Sequence, residues 1–280
     1  MSTARTGDVG IYYEQFGDRA LPTLLLVNGL GSQCINYAEE WCNLFCAEGF
    51  SVVRFDNRDV GLSSKLDGVD YTLADMADDA VAVLDDLYVD RAHVMGCSMG
   101  GMIVQRLAID HPDRLLSMTS VMSRTGEAGY GESSEEALAF LMAPPAESRS
   151  AYIESHVAAL HVYGSKPEWL DEEAIRARSA RAYDRCFCPK GIGRQMRAVG
   201  HDGSRSEQLT TVAVPTLVIH GSRDTLIDPS GGRRTAELIP GARYYEVVGM
   251  GHDYPPAVWN EWVSVWSVFV QSAASDRVTG

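Results

Sequence analysis

Short apolar runs alternate along the chain with longer stretches of helical periodicity. Residues 11–16 predict an early strand, and Thr23–Val27 (TLLLV) is apolar from its second position on, the pattern of a strand buried on both faces. Residues 35–48 predict a helix and Ser51–Phe55 (SVVRF) a strand. Within 72–87, Leu73, Met76, Ala77, Ala80, Val81, Leu84 and Leu87 follow helical spacing, which leaves Asp75, Asp78, Asp79, Asp85 and Asp86 mainly on a solvated face. Residues 92–95 (AHVM) give another short strand. The stretch 99–110 places Met99, Ile103, Val104 and Leu107 on one helical face, and 115–122 is a further strand. This alternation predicts a mostly parallel sheet flanked by helices on both sides.

The rhythm breaks over 124–206, where the pattern is helical and no strand is evident. Ser133 and Glu136 have capping-box spacing ahead of 137–142, and 146–162 and 171–185 read as further helices. The expected organisation is a core of 1–123 and 207–280 with 124–206 inserted as a helical cap, or lid. Strand and helix resume with 215–220 (PTLVIH), a helix over 229–238, a strand over 243–248 and a closing helix from Ala257. In that helix Trp259, Trp262, Val263, Trp266, Phe269 and Val270 form one stripe, assigned to core packing.

The first candidate chemistry lies between the strand 92–95 and the helix 99–110, where Gly96, Cys97, Ser98, Met99 and Gly100 spell GCSMG. In that context the serine of G-x-S-x-G sits on a sharp, strained turn, and its hydroxyl stands above the sheet edge. Glycines two positions either side leave no side chain to clash, and Gly101 adds room for close packing of helix and strand. Ser98 is therefore the candidate nucleophile. A serine hydroxyl is weakly nucleophilic at neutral pH and needs a base within hydrogen-bond reach, itself held by a third group.

Seven histidines compete for the base. His252 lies in GMGHD (249–253), directly after the last predicted strand, which places it at the carboxyl edge of the sheet where Ser98 emerges. His111 closes a helix, His93 and His220 belong to strands, and His156, His161 and His201 fall in the lid. For the orienting acid, GSRD (221–224) follows PTLVIH and nominates Asp224. Its rival Asp228 precedes Pro229 and Ser230, where helix capping explains it. Glu127 is the nearest acid after 115–122. Negative charge developing on a substrate carbonyl oxygen needs N–H groups fixed in advance. Met99, following the nucleophile, is the first candidate donor. Leu30, from the loop Asn28-Gly29-Leu30-Gly31 after TLLLV, is the second, with the Asn28 side chain expected to brace that loop.

Composition narrows the function classes. The chain has 280 residues, enough for one large domain or one domain with an insertion, and its 45% hydrophobic content marks it as globular. A formal net charge of −14 sets the field against nucleic acid, polyphosphate or an anionic membrane as partner. The beginning of the sequence lacks a signal-like apolar stretch and no run reaches the length of a membrane span, so a soluble, cytoplasmic protein with no membrane insertion is expected. Six cysteines in a chain this long do not form a disulfide framework, and the Cys186 and Cys188 pair lacks the partners of a zinc site. No metal and no cofactor are expected, and homo-oligomer formation is left open.

LLLVNGLG, FDNRDVGLSS (55–64), GCSMGG, PTLVIHGSRD and GMGH occur in the order found in α/β-hydrolases, which the chain resembles over nearly its whole length. Within that superfamily it is similar to capped esterases of the aclacinomycin methylesterase kind around RDVGLS (58–63), DDAVAVLDDLYVDRAHV (78–94) and GMGH. The order Ser98, Asp224, His252 matches the family's serine, acid, histidine order. The resemblance implies an α/β-hydrolase fold and a carboxylic ester hydrolase acting through an acyl-enzyme on a small or medium hydrophobic ester, methyl esters included. Ser98, Asp224 and His252 would be its triad, with Leu30 and Met99 as oxyanion donors. Alternative readings are lactonase, carbon–carbon bond hydrolase or cofactor-free haloperoxidase and perhydrolase chemistry on the same triad, and a slow-turnover ligand-sensing protein.

Overall fold

The computed structural model describes residues 2–279. Its strands are β1 (Ser2–Thr6), β2 (Val9–Phe16), β3 (Thr23–Val27), β4 (Ser51–Phe55), β5 (Ala92–Cys97), β6 (Leu115–Val121), β7 (Thr216–Gly221) and β8 (Arg243–Val247). Around them lie helices α1 (Glu39–Ala47), α2 (Leu73–Asp86), α3 (Met99–Asp110), α4 (Glu135–Leu141), α5 (Arg149–Tyr163), α6 (Glu172–Arg185), α7 (Pro189–Asp202), α8 (Ser206–Leu209), α9 (Ser230–Leu238) and α10 (Pro256–Thr279). The strands form one eight-stranded sheet in the order β1-β2-β4-β3-β5-β6-β7-β8. The first two are antiparallel at one edge, and from β4 to β8 all pairings are parallel.

Both faces of the central strands are covered, which is why they read as continuous apolar runs. Leu25, Val27, Val53 and Val94 pack against residues of α2 and α3. Leu24, Leu26, Val52 and Met95 face α1 and α10 on the other side. The tryptophan stripe belongs to this second layer: Trp262 and Trp266 are buried, and Trp41 and Phe45 of α1 meet them edge-on at 6.1 and 5.2 Å between ring centroids. Among the described residues no helix is long and apolar enough to cross a membrane.

Several expectations need correction. The helix expected over 35–48 begins only at Glu39, because 34–36 forms a tight 3-10 turn and Tyr37 is extended. Ser134, not Ser133, caps α4 by accepting from the Ala137 N–H at 3.1 Å, while the Ser133 hydroxyl donates to Leu226 O. Asp79 is not on the solvated face of α2: it is buried and takes both arms of the Arg58 guanidinium, at 2.6 and 2.8 Å. β1, with the sequence START, carries little apolar signal and is a strand because β2 pairs with it along its length.

The stretch between β6 and β7 holds α4 to α8 and no strand among the described residues. In it α7 carries little helical signal in its sequence, since Gly191, Gly193 and Gly200 dilute its helical propensity. Two of these glycines differ in kind. A Cβ on Gly191 would lie 2.4 Å from Asp59 O, so close packing requires glycine there, whereas one on Gly193 would meet nothing within 4 Å. Gly193→Ala is accordingly expected to stabilise the protein by about 0.5–1 kcal/mol and Gly191→Ala to destabilise it, as read from urea midpoints.

Candidate active site

Ser98 joins β5 to α3 with φ 58° and ψ −121°, a left-handed conformation that costs a non-glycine residue about 1–3 kcal/mol. The surroundings impose it. The Ser98 N–H donates to Val121 O at 2.9 Å, and the Ser123 hydroxyl donates to Ser98 O at 2.8 Å. A Cβ on Gly96 would stand 2.1 Å from Gly100 O, and one on Gly100 would stand 2.1 Å from Val27 O. The glycines of the motif are thus dictated by the crossing of β5, α3 and β3.

Asp224 follows β7 and His252 follows β8, and the two loops are tied together by the Arg223 N–H donating to Met250 O at 2.8 Å. His252 Nδ1 lies 2.7 Å from Asp224 Oδ2. The other carboxylate oxygen, Oδ1, accepts from the Leu226 and Ile227 N–H groups at 3.0 and 2.8 Å, which fixes the plane of the carboxylate. Burial opposes ionisation of Asp224, but His252 and His220 facing it prevail and hold its pKa down to about 2. Asp228 stands one residue before Pro229, the N-cap of α9, and its Oδ1 accepts from the Ser230 N–H at 2.9 Å.

The loop after β3 closes the third side. A Cβ on Gly29 would lie 3.2 Å from Ser98 Cβ and 3.7 Å from its Oγ, so this backbone runs in tight contact with the nucleophile candidate. Asn57 Nδ2 donates to Asn28 O at 2.9 Å and the Gly31 N–H donates to Gln195 Oε1 at 2.9 Å. Asn28 therefore braces the loop through its carbonyl and not its side chain, whose buried Nδ2 has no protein partner. Among the described residues the backbone N–H groups of Leu30 and Met99 have no acceptor within the chain. Leu30, Ser98, Met99 and His252 all line one cavity of about 470 Å³.

An alpha/beta hydrolase fold model matches residues 22–254. The chain belongs to this α/β-hydrolase family. A rhodomycin D methylesterase of Streptomyces peucetius is 31% identical over 277 residues, spanning 90% of this chain and 91% of the relative. Solved structures agree in fold: a meta-cleavage product hydrolase from Pseudomonas fluorescens superposes with a TM-score of 0.81 at 19% identity, covering 98% of each chain. An enol-lactonase from Burkholderia xenovorans gives 0.79 at 22% identity, covering 96% of this chain and all of that one. The protein is thus an enzyme, a hydrolase.

In this hydrolase the helices between β6 and β7 roof the cavity. Of the aromatic residues in this stretch, Tyr152 and Tyr163 of α5 line it. Tyr183 and Phe187 stack on each other at 4.7 Å, and Tyr130 and Trp169 receive Arg234 and Lys166 on their faces. Tyr163 also anchors the histidine loop, since its carbonyl accepts the His252 N–H at 2.6 Å. Asp253 beside it accepts from the Ser165 N–H at 2.8 Å.

The remaining histidines have other occupations. His93 meets Ser117 at 2.8 Å, and at 2.7 Å His111 meets Asp78 and His161 meets Glu172. His111, at the end of α3, thus bonds a carboxylate of α2. Glu127 is engaged by Arg234 and Ser206. Sequence reasoning missed His220: fully buried, its Nε2 stands 2.8 Å from Ile227 O and 3.3 Å from Asp224 Oδ2, the oxygen that also faces His252. Its place four residues before the acid, at the carboxyl end of the same strand, was the available signal.

Ion pairs clamp the roof to the sheet. Arg194 of α7 grips Asp59 with two bonds of 2.7 Å, and Arg185 of α6 pairs with Asp56 at 2.7 Å. Burial works against ionised Asp59, yet Arg194, the Leu66 N–H and the Tyr71 hydroxyl hold its carboxyl below the usual range. Arg194→Met would strand that buried carboxylate and is expected to cost about 3 kcal/mol in unfolding free energy. Arg194→Lys should recover only part of it, because an ammonium cannot make the paired bonds.

Proposed function

We propose that this α/β-hydrolase is a serine carboxylic ester hydrolase working through an acyl-enzyme. Ser98 is the nucleophile, His252 the general base and then acid, Asp224 the orienting carboxylate, and the Leu30 and Met99 N–H groups the oxyanion site. One observation carries the reading: the strained Ser98 turn opens into the same cavity as a histidine whose far nitrogen is held by a buried carboxylate. His252 Nε2 takes the Ser98 proton as Oγ bonds to the ester carbonyl carbon, and the resulting oxyanion accepts from the two N–H groups. Collapse breaks the bond to the alcohol oxygen, which leaves with the proton carried by His252. Water, deprotonated by His252, then releases the acid and restores Ser98. These steps call for no metal or cofactor.

In this reading 124–206 is the cap that shapes substrate choice, and 1–123 with 207–280 is the catalytic core. A small or medium hydrophobic ester suits the apolar part of the lining, which includes Leu30, Leu160, Ile192 and Met196. A methyl ester is favoured among the candidates by the 31% identity to a methylesterase. The test is labelling with a fluorophosphonate and locating the adduct by mass spectrometry, followed by turnover of methyl, short-acyl and long-acyl esters. An adduct on Ser98 is expected; failure to label there would remove the mechanism.

A further inference from the structure

Building on the serine esterase reading, we propose that the cavity selects esters whose acyl part carries a free carboxylate, bound by Arg124 and Arg178. The protein as a whole is acidic, with a formal net charge of −14, yet among the described residues two guanidiniums and a single carboxylate, Asp253, line this cavity. Both arginines are half-buried, and among the described residues neither has a carboxylate within the 4.0 Å of an ion pair. Arg124 makes one long bond, 3.3 Å to Gly131 O, and the acid nearest it in sequence, Glu127, is taken by Arg234 and Ser206. Arg178 acts through space on Asp253, His156 and Tyr254, while Asp253 gives one oxygen to both the N–H and the hydroxyl of Ser165.

Four other arginines of the roof are treated differently. Arg149, Arg176, Arg185 and Arg194 are each paired with a carboxylate. A cation partly withdrawn from water stays costly until a counter-charge reaches it, so an anion entering the cavity gains what these pairs already have. Location supports a substrate role. Arg124 leaves the end of β6 one residue after Ser123, whose hydroxyl bonds the Ser98 carbonyl at 2.8 Å, and Gly131 and Gly231 crowd its stem. Arg178 lines the cavity from α6. The acyl part stays bonded to Ser98 through both chemical steps, so a cation in the cavity favours both transition states only when the negative charge is carried there.

The test pairs two esters of equal acyl length, para-nitrophenyl hexanoate and mono-para-nitrophenyl adipate, with the native enzyme, Arg124→Gln and Arg178→Gln. The native enzyme is expected to favour the adipate in kcat/KM by about tenfold or more, the effect of one charge-assisted hydrogen bond, with the preference shrinking as salt is added. Both variants should lower that ratio. Equal use of the two esters, preference for the hexanoate, or a ratio unmoved in both variants would overturn the proposal. Turnover of neither ester would count against the esterase reading itself. Calorimetry with free adipate then decides this proposal separately: binding weakened in both variants supports it, and absence of binding to the native protein ends it.

Discussion

Ser98→Ala is expected to lower kcat/KM on an activated ester by roughly 10⁴–10⁶-fold and to abolish fluorophosphonate labelling. The magnitude follows from what remains. The proposed oxyanion donors, the cavity and the His252–Asp224 pair persist, so water attacking a bound ester retains some assistance, but the proposed covalent route is gone. The variant keeps a Cβ and the same left-handed turn at residue 98, so its circular dichroism and unfolding midpoint separate loss of chemistry from loss of fold. Undiminished turnover in Ser98→Ala would show that the serine is not the nucleophile.

Asp224→Asn should cost about 10⁴-fold in kcat at neutral pH, and the geometry says why. Because the Leu226 and Ile227 N–H groups donate to Oδ1, an amide at this position keeps its oxygen toward them and turns its NH₂ toward His252 Nδ1. His252 then holds its proton on Nε2, the atom that in the proposed mechanism accepts one from Ser98. His220 Nε2, 3.3 Å from Oδ2, would also face a donor where it now meets an acceptor. A stability effect accompanies this one. Asp224 has its pKa depressed from 3.8 to about 2 in the folded protein, so its ionised form favours folding. That contribution, about 2 kcal/mol, is complete above the unfolded value and fades as pH falls toward 2. Urea midpoints followed from pH 6 to 2 should decline more steeply over the acid end in the native protein than in Asp224→Asn.

How far the site could be read from the sequence depended on whether each residue's signal was local. GCSMG was legible because its five residues are consecutive, although only Gly96 answers a near neighbour, Gly100 O, while Gly100 makes room for Val27 O of the distant β3. Asp224 and His252 were legible because each follows directly on a strand of the parallel sheet, whose carboxyl ends share one edge. Asp79 misled, since its spacing on α2 describes a solvated face and nothing nearby in sequence announces Arg58 beneath it. β1 and the beginning of α4 failed for the same reason: a pairing strand and a hydroxyl's choice between Leu226 and a helix end are made by distant segments.

By itself the amino-acid sequence determined the alternation of strand and helix and the mostly parallel sheet, and it nominated candidates for nucleophile, acid, base and oxyanion donors, because periodicity and turn chemistry act over a few neighbouring positions. Tertiary structure alone decided that Arg194 and Arg185 fasten the roof to Asp59 and Asp56, and that, among the described residues, Arg124 and Arg178 reach the cavity without an acid of their own. Pairing of charges depends on distance through space, and residues separated by a hundred positions meet only once the sheet has placed them.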